Sequence, residues 1–236
     1  MKKVIAIIVF CAVAFAALCE EAYDDNAPIQ VDWYPLLTDS VGWNIYSGGV
    51  MVGWVNAPSA PAGMDVNMGR SMELAWLTVV GAKYNTGHGQ RITMGVGIDW
   101  RNYKLCRGTR YAWGDDHVWT DLYPTDATPR SSRLKVFSLT LPIILRQRLV
   151  NKVDLMAGAI VSFNVHGSLE TVYDLDGTKI TERTTRIHQV PVTADIFAGV
   201  KWSCLGAYVR YSPCHILRQE HAPAFTSFST GIFLGF

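Results

Sequence analysis

The chain has 236 residues, 49% of them hydrophobic, with 21 Lys and Arg against 20 Asp and Glu. That length suits one sizeable domain or two small ones, and a formal charge of +1 offers no basic field for nucleic acid. Eight Trp, 10 Tyr and 20 Gly suit a chain of strands and tight turns.

The N-terminal residues read as a secretory signal. Lys2 and Lys3 precede an apolar run from Val4 to Leu18, and Glu20 and Glu21 end it. The run is shorter than the roughly 20 residues of a membrane span. We assign 1–19 as signal, with cleavage after Ala17 or Cys19; Leu18 is bulky for a lipoprotein site. Without these residues the chain carries 19 basic and 20 acidic side chains, and Cys106, Cys204 and Cys214 remain. Three cysteines do not make a disulfide framework. A Cys106–Cys214 bridge and free thiols both stay open. No metal-ligand spacing and no cofactor motif is visible.

Residues 20–40 are acidic and irregular and are expected to form a periplasmic lead-in. Alternation then dominates. A first strand over 41–54 carries a suspected break at Gly48–Gly49. The second, near 70–84, places Leu74, Trp76, Thr78, Val80 and Ala82 on one face. The third, near 90–103, sets Ile92, Met94, Val96, Ile98 and Trp100 against Thr93, Gly95, Gly97, Asp99 and Arg101. Residues 104–133 read as a long polar loop. A fourth strand over 134–147 carries Phe137, Leu139, Leu141, Ile143 and Leu145 on one face; a fifth, from 153, carries Leu155 to Val165 on one parity. Asp176–Gly177 marks a hairpin turn. The sixth strand runs down to about 201, the seventh covers about 205–213, and the last alternates through "FSTGIFLGF", 228–236.

The connections alternate in length. Long polar ones fall at 55–69, 104–133, 167–188 and 214–224, and short ones at 85–89, 148–152 and 201–204. Up-and-down strands would gather the long ones at one end, as outer-membrane barrels do. One face is apolar strand after strand, while the other mixes glycine and hydroxyls with charge. The expected fold is all-β, an eight-stranded antiparallel up-and-down transmembrane β-barrel over 41–236. The last strand would close it on the first, and both termini would be periplasmic. Ten strands remain open if the 169–188 hairpin or the N-terminal segment joins.

Several segments carry a resemblance: "FSLTLPIILRQRL" (137–149), "VDLMAGAIVSFNV" (153–165), "ADIFAGVKW" (194–202) and "LGAYVRYS" (205–212). With the closing strand, they resemble the small outer-membrane β-barrel proteins of the Bacteroidetes, a family with a porin-like eight-stranded domain. The resemblance implies fold and location and no reaction. It also implies that the terminal aromatic Phe236 is what the barrel insertion machinery reads.

Function is less legible. Glu73, Asp99, Arg101, Arg146, Asp195 and Arg210 share the inward parity and are expected to form a charge network that plugs the lumen, since buried ions must be paired. Tyr111, Trp113, Trp119 and Tyr123 lie in the long loop among Asp115, Asp116, Asp121 and Asp126. They offer either a surface for an extracellular or periplasmic protein or glycan, or a roof over the barrel. Trp43, Trp54, Trp76, Trp100 and Trp202 are candidate interfacial anchors, with Trp76 rather central. Ser162 and His166 share a parity, and His166 and His188 could approach across a hairpin, but no third partner completes a triad or a metal site. No catalysis is expected. The reading is a structural or surface-binding barrel in contact with outer-membrane lipid. Its alternatives are a narrow ion or small-solute pore and a soluble periplasmic β-barrel that binds a ligand.

Overall fold

The structure is a computed structural model, and it describes residues 41–235 apart from 62, 87, 88, 107, 115, 116, 151 and 186. The expectations for the signal, the lead-in, Asp115, Asp116 and Phe236 fall outside these residues.

Twelve strands form among the described residues: β1 (Gly42–Tyr46), β2 (Val50–Asn56), β3 (Met72–Asn85), β4 (Gln90–Lys104), β5 (Thr109–Gly114) and β6 (His117–Leu122), then β7 (Thr128–Val150), β8 (Val153–Leu175), β9 (Thr178–Thr184), β10 (Val192–Trp202), β11 (Leu205–Ser212) and β12 (Ser227–Leu234). Eight of them make a hydrogen-bonded ring in the order β2, β3, β4, β7, β8, β10, β11, β12, and β12 returns to β2. Every pairing is antiparallel. The closing register runs from Phe228↔Asn56 to Leu234↔Val50. Closure leaves no unpaired edge around the ring. The short connections, β3–β4, β7–β8 and β10–β11, lie at one end, and the long ones at the other.

The first strand divides where its glycines suggested. β1 pairs with Gly81–Asn85 and β2 with Met72–Trp76 of the same β3. At the break, a side chain on Gly49 would collide with the backbone of Leu234, so only glycine lets β12 pass this closely. β3 answers with an irregularity between Trp76 and Val80. Leu77 and Thr78 both turn inward there, and Val79 and Val80 both turn outward. Thr78 therefore leaves the outward face assigned to it. The insertion is two residues long relative to β4, so the original alternation resumes afterwards.

Two further expectations are corrected. Residues 104–133 are not a loop throughout. β5 and β6 pair as a separate two-stranded sheet, and β7 begins at Thr128. The Thr, Tyr, Trp and Val content of these segments outweighs their scattered Gly and Asp. The sixth strand is not continuous either. β9 pairs with β8 alone and ends at Thr184, and β10 starts afresh at Val192 after Pro191. Pro191 has no N–H, and His188 takes a left-handed φ of 47°. The 169–188 hairpin thus stands on the ring without entering it, and the ring has eight members.

The interior is layered. Toward the short-turn end, Met51, Leu77, Ile144, Met156, Phe197 and Phe233 form an apolar core. A polar layer follows. Above it a second apolar core gathers Val55, Tyr103, Leu134, Leu169, Leu217 and Phe225 from the ring and from the connections over its mouth.

Candidate functional site

The polar layer is built from inward positions of four neighbouring or facing strands. β3 supplies Glu73, β4 supplies Asp99 and Arg101, β10 supplies Asp195 and β11 supplies Arg210. All five are buried. Arg210 reaches three carboxylates: Glu73 Oε1 at 2.6 Å, Asp99 Oδ2 at 2.8 Å, and Asp195 Oδ2. Arg101 donates to Asp195 Oδ2 at 2.6 Å and to Asp99 Oδ2 at 2.9 Å. Hydroxyls extend the shell, and Asp99 Oδ1 is the buried oxygen of the cluster left without a hydrogen-bond partner. Ser212 donates to Asp195 Oδ1. Ser162 accepts from Arg210 at 3.1 Å, and Ser212 accepts from Arg101 at 3.2 Å. Three carboxylates thus face two guanidiniums. Buried charge persists only when paired and hydrogen-bonded in this way.

The register makes the cluster. Tyr208, Gly231, Gly53 and Glu73 lie in one row across β11, β12, β2 and β3. Two adjacent glycines leave a trough, and the Tyr208 ring lies in it. A side chain on Gly53 would meet the Tyr208 hydroxyl. That hydroxyl donates to Glu73 Oε2 at 3.2 Å. The ring stacks on Phe197 with centroids 6.0 Å apart.

Arg146 does not join the five. It lies on the short-turn side of the lower core, where it donates to the Tyr46 hydroxyl and its guanidinium covers the Tyr46 ring at 5.1 Å and the Phe233 ring at 6.0 Å. Parity placed it inward correctly as a direction, but its level along β7 is separated from Asp99 by several inward steps. Tyr208, Ser162 and Ser212 are the members that sequence reasoning missed. Parity gives all three an inward direction; only strand register shows what each meets.

At the long-loop end the four aromatics separate. Tyr111 is fully buried in the upper core, so it offers no outer surface. Burial pushes its hydroxyl pKa up. Its amide donates to Ser132 Oγ at 2.9 Å. Trp113 packs against that core, Tyr123 is half-buried against Tyr173 at 5.9 Å, and Trp119 is exposed. The β5–β6 sheet is tied to the β8–β9 hairpin through Glu182, which accepts from Arg110 at 3.1 Å and from Tyr173 at 2.7 Å.

The remaining candidates disperse. Ser162 bonds to Asp195 and Arg210 in the lumen, while His166 lies past a register shift in β8 and is exposed outward. His188 stacks on His221 with ring centroids 4.1 Å apart. Among the described residues no group of three or more His, Cys, Asp or Glu is arranged to hold a metal ion. Cys106, Cys204 and Cys214 are free thiols, so the Cys106–Cys214 bridge is not formed. A surface cavity of about 320 Å³ lies at the seam before β10, lined by Asn164, Thr185, His188, Gln189 and Arg218, away from the lumen cluster.

The outside of the ring reverses the usual arrangement. Exposed side chains include Trp43, Trp54, Trp76, Ile98, Trp100, Leu141, Ile143, Ile196, Trp202 and Ile232. Aromatic residues gather at both limits of this band: Trp43 lies tilted against Tyr84, with ring centroids 5.1 Å apart, near the short turns, and Trp100 meets Phe137 edge-on at 6.5 Å near the long connections. Trp76 sits midway, and its indole N–H donates to the Gly48 carbonyl at 2.9 Å, serving the acceptor that the β1–β2 break frees.

No protein-family model matches this chain, and no curated protein does. Among solved structures, it is similar to Neisserial surface protein A at 14% identity, over 84% of this chain and all of that one, with a TM-score of 0.39. It is also similar to Ail, the attachment invasion locus protein of Yersinia pestis, at 10% identity, over 84% of this chain and all of that one, with a TM-score of 0.34. The Bacteroidetes family expected from the sequence is matched by no family model, and the coarser expectation, a ring of eight antiparallel strands, is what the structure contains.

Proposed function

We propose that this chain is an outer-membrane β-barrel with a structural or surface-binding role and a closed, non-catalytic interior. The observation that carries the reading is the inversion of the two faces. The ring buries Glu73, Asp99, Arg101, Asp195 and Arg210 while exposing Trp100, Leu141, Ile196 and Trp202. In water this wastes apolar area; in hydrocarbon it satisfies both faces. The closed ladder is the second requirement, because exposed backbone groups find no partner in lipid. The aromatic pairs at both limits of the band suit the headgroup levels. By this reading both chain ends are periplasmic, the connections over the mouth face outward, and Phe236 engages the insertion machinery.

The lumen does not suit a pore. Met51, Met156, Phe197 and Phe233 fill one layer, the ion cluster fills the next, and the upper core lies over both. An eight-stranded ring has only enough interior for such filling. Of Tyr111, Trp113, Trp119 and Tyr123, Trp119 is the exposed one and is left to meet an outside protein or glycan.

Fractionation tests the reading. The protein should leave the cell envelope only with detergent and should migrate differently in gels before and after boiling. Release by salt or alkali alone would overturn it. Planar bilayers holding the refolded protein should stay silent, and unitary conductance would reopen the narrow pore.

A further inference from the structure

The outward face changes character just beyond the Trp100–Phe137 pair, and on one side only. Lys104, Arg133, Glu170 and Arg183 lie in one row across β4, β7, β8 and β9. Lys135 lies one outward step nearer the apolar band, opposite Ser168. These side chains point away from the interior, because Leu134 and Val136 between them are buried. Glu170 accepts from Arg133 at 2.5 Å and from Lys135 at 2.7 Å, so it clamps two cations side by side and cancels one charge of four. Arg183 is exposed. On the other side of the ring the outward residues nearest the long connections are Val192 of β10, Tyr211 of β11, Phe228 of β12 and Asn56 of β2, all uncharged.

The geometry points to a lateral binding site for phosphate-bearing lipid headgroups on the β4–β7–β8–β9 side of the barrel. This rests on the membrane reading above. Strands rise about 3.3 Å per residue, and a tilt near 40° puts Lys135 about 5 Å and Arg133 about 10 Å beyond Phe137. The headgroup layer occupies roughly 5–7 Å on each side of the hydrocarbon. Lys135 therefore sits at the phosphate level and Arg133 just above it, from where its long side chain reaches back to the headgroups, and both adjoin the apolar surface that would hold the same lipid's chains. Guanidinium and ammonium groups fixed in a row offer phosphate oxygens paired donors at little cost in ordering. Glu170 sets the spacing of Arg133 and Lys135 in advance.

The test is electron spin resonance of the full-length protein refolded into phosphatidylcholine vesicles, with spin-labelled phosphatidic acid compared with spin-labelled phosphatidylcholine. The wild type should hold phosphatidic acid at least about threefold more strongly, less so at high salt. The triple change Arg133→Gln, Lys135→Gln and Arg183→Gln should bring the ratio close to one. Glu170→Gln should raise it, which a merely misfolded variant would not do. Lys179→Gln, at the hairpin tip, should leave it alone. A wild-type ratio of one, or a triple variant that keeps the full preference, would overturn the inference. So would capture of soluble dextran sulfate through these residues without lipid preference, which would assign the belt to an acidic soluble partner. Failure to insert into vesicles at all would instead count against the membrane reading.

Discussion

Replacing Arg210 with glutamine should be among the most damaging single changes in the chain. Arg210 is 2% exposed and reaches Glu73, Asp99 and Asp195 together. Its loss leaves three buried carboxylates with Arg101 as the cation among them. The cluster moves from a formal charge of −1 to −2 with no water to screen it. Breaking a buried ion pair by removing one partner costs about 3–5 kcal/mol, because the other charge stays behind. The informative comparison is a double-mutant cycle. Asp195→Asn alone removes a carboxylate that both arginines use, and it should also destabilise. Added to Arg210→Gln, it restores the net charge and should recover about 2 kcal/mol or more against the sum of the single effects. Equilibrium urea unfolding of protein refolded in lipid vesicles, followed by tryptophan fluorescence, gives all four corners. A single variant within about 1 kcal/mol of wild type, or single effects that simply add, would refute the claim that these five groups act as one cluster.

Trp76→Phe keeps the ring and removes the donor to the Gly48 carbonyl, so it should cost about 1–3 kcal/mol in the same unfolding assay; no loss would mean the carbonyl finds another partner. Gly53→Ala should cost about 1–3 kcal/mol through crowding of the Tyr208 hydroxyl and the Thr230 carbonyl, and less, though not nothing, when made in a Tyr208→Phe background, where the hydroxyl nearest the new methyl is gone. Equal cost in both backgrounds would put the strain elsewhere. Glu170 has a carboxyl pKa lowered to about 2; burial opposes the shift, but hydrogen bonds from Lys135 and Arg133 outweigh it. Its contribution is therefore present above the ordinary carboxylate value near 4.3 and is lost as pH falls through about 2. NMR titration of its carboxyl carbon should show that low midpoint, rising in Arg133→Gln.

Direction was legible in the sequence, and level was not. Alternation alone placed Glu73, Asp99, Asp195 and Arg210 inward and Leu141, Ile196 and Ile232 outward, because a strand's period is two whatever its partner. Alternating loop lengths supplied the closed order of the ring. What alternation lacks is register. Arg146 and Arg210 read alike by parity, yet one lies with carboxylates and the other between Tyr46 and Phe233. Local irregularity hid other features. Thr78 is turned inward by an insertion in β3 that no residue type announces. The β5–β6 hairpin carries strand-forming residues among turn-forming ones, and composition averaged over 104–133 concealed it.

The layered interior constrains where function can reside. A lumen used for transport needs groups that exchange partners as a solute passes. Here each member of the ion cluster has several partners, and Tyr208 is held over Gly53, against Phe197 and by its bond to Glu73. Apolar cores lie on both sides of the cluster along the axis. Moving one arginine would strip three carboxylates of a partner at once, so the cluster resists the partial openings that conduction requires. A rigid interior of this kind is better suited to holding the outside in shape. The outside carries the features the interior does not explain: the one-sided basic belt of Arg133, Lys135 and Arg183, the exposed Trp119 and the β8–β9 hairpin standing free of the ring. If the interior serves as the scaffold, stabilising changes there should leave lipid selectivity untouched, and changes in the belt should alter selectivity while leaving unfolding nearly unchanged. Coupling between the two sets would mean that the lumen is more than a filling.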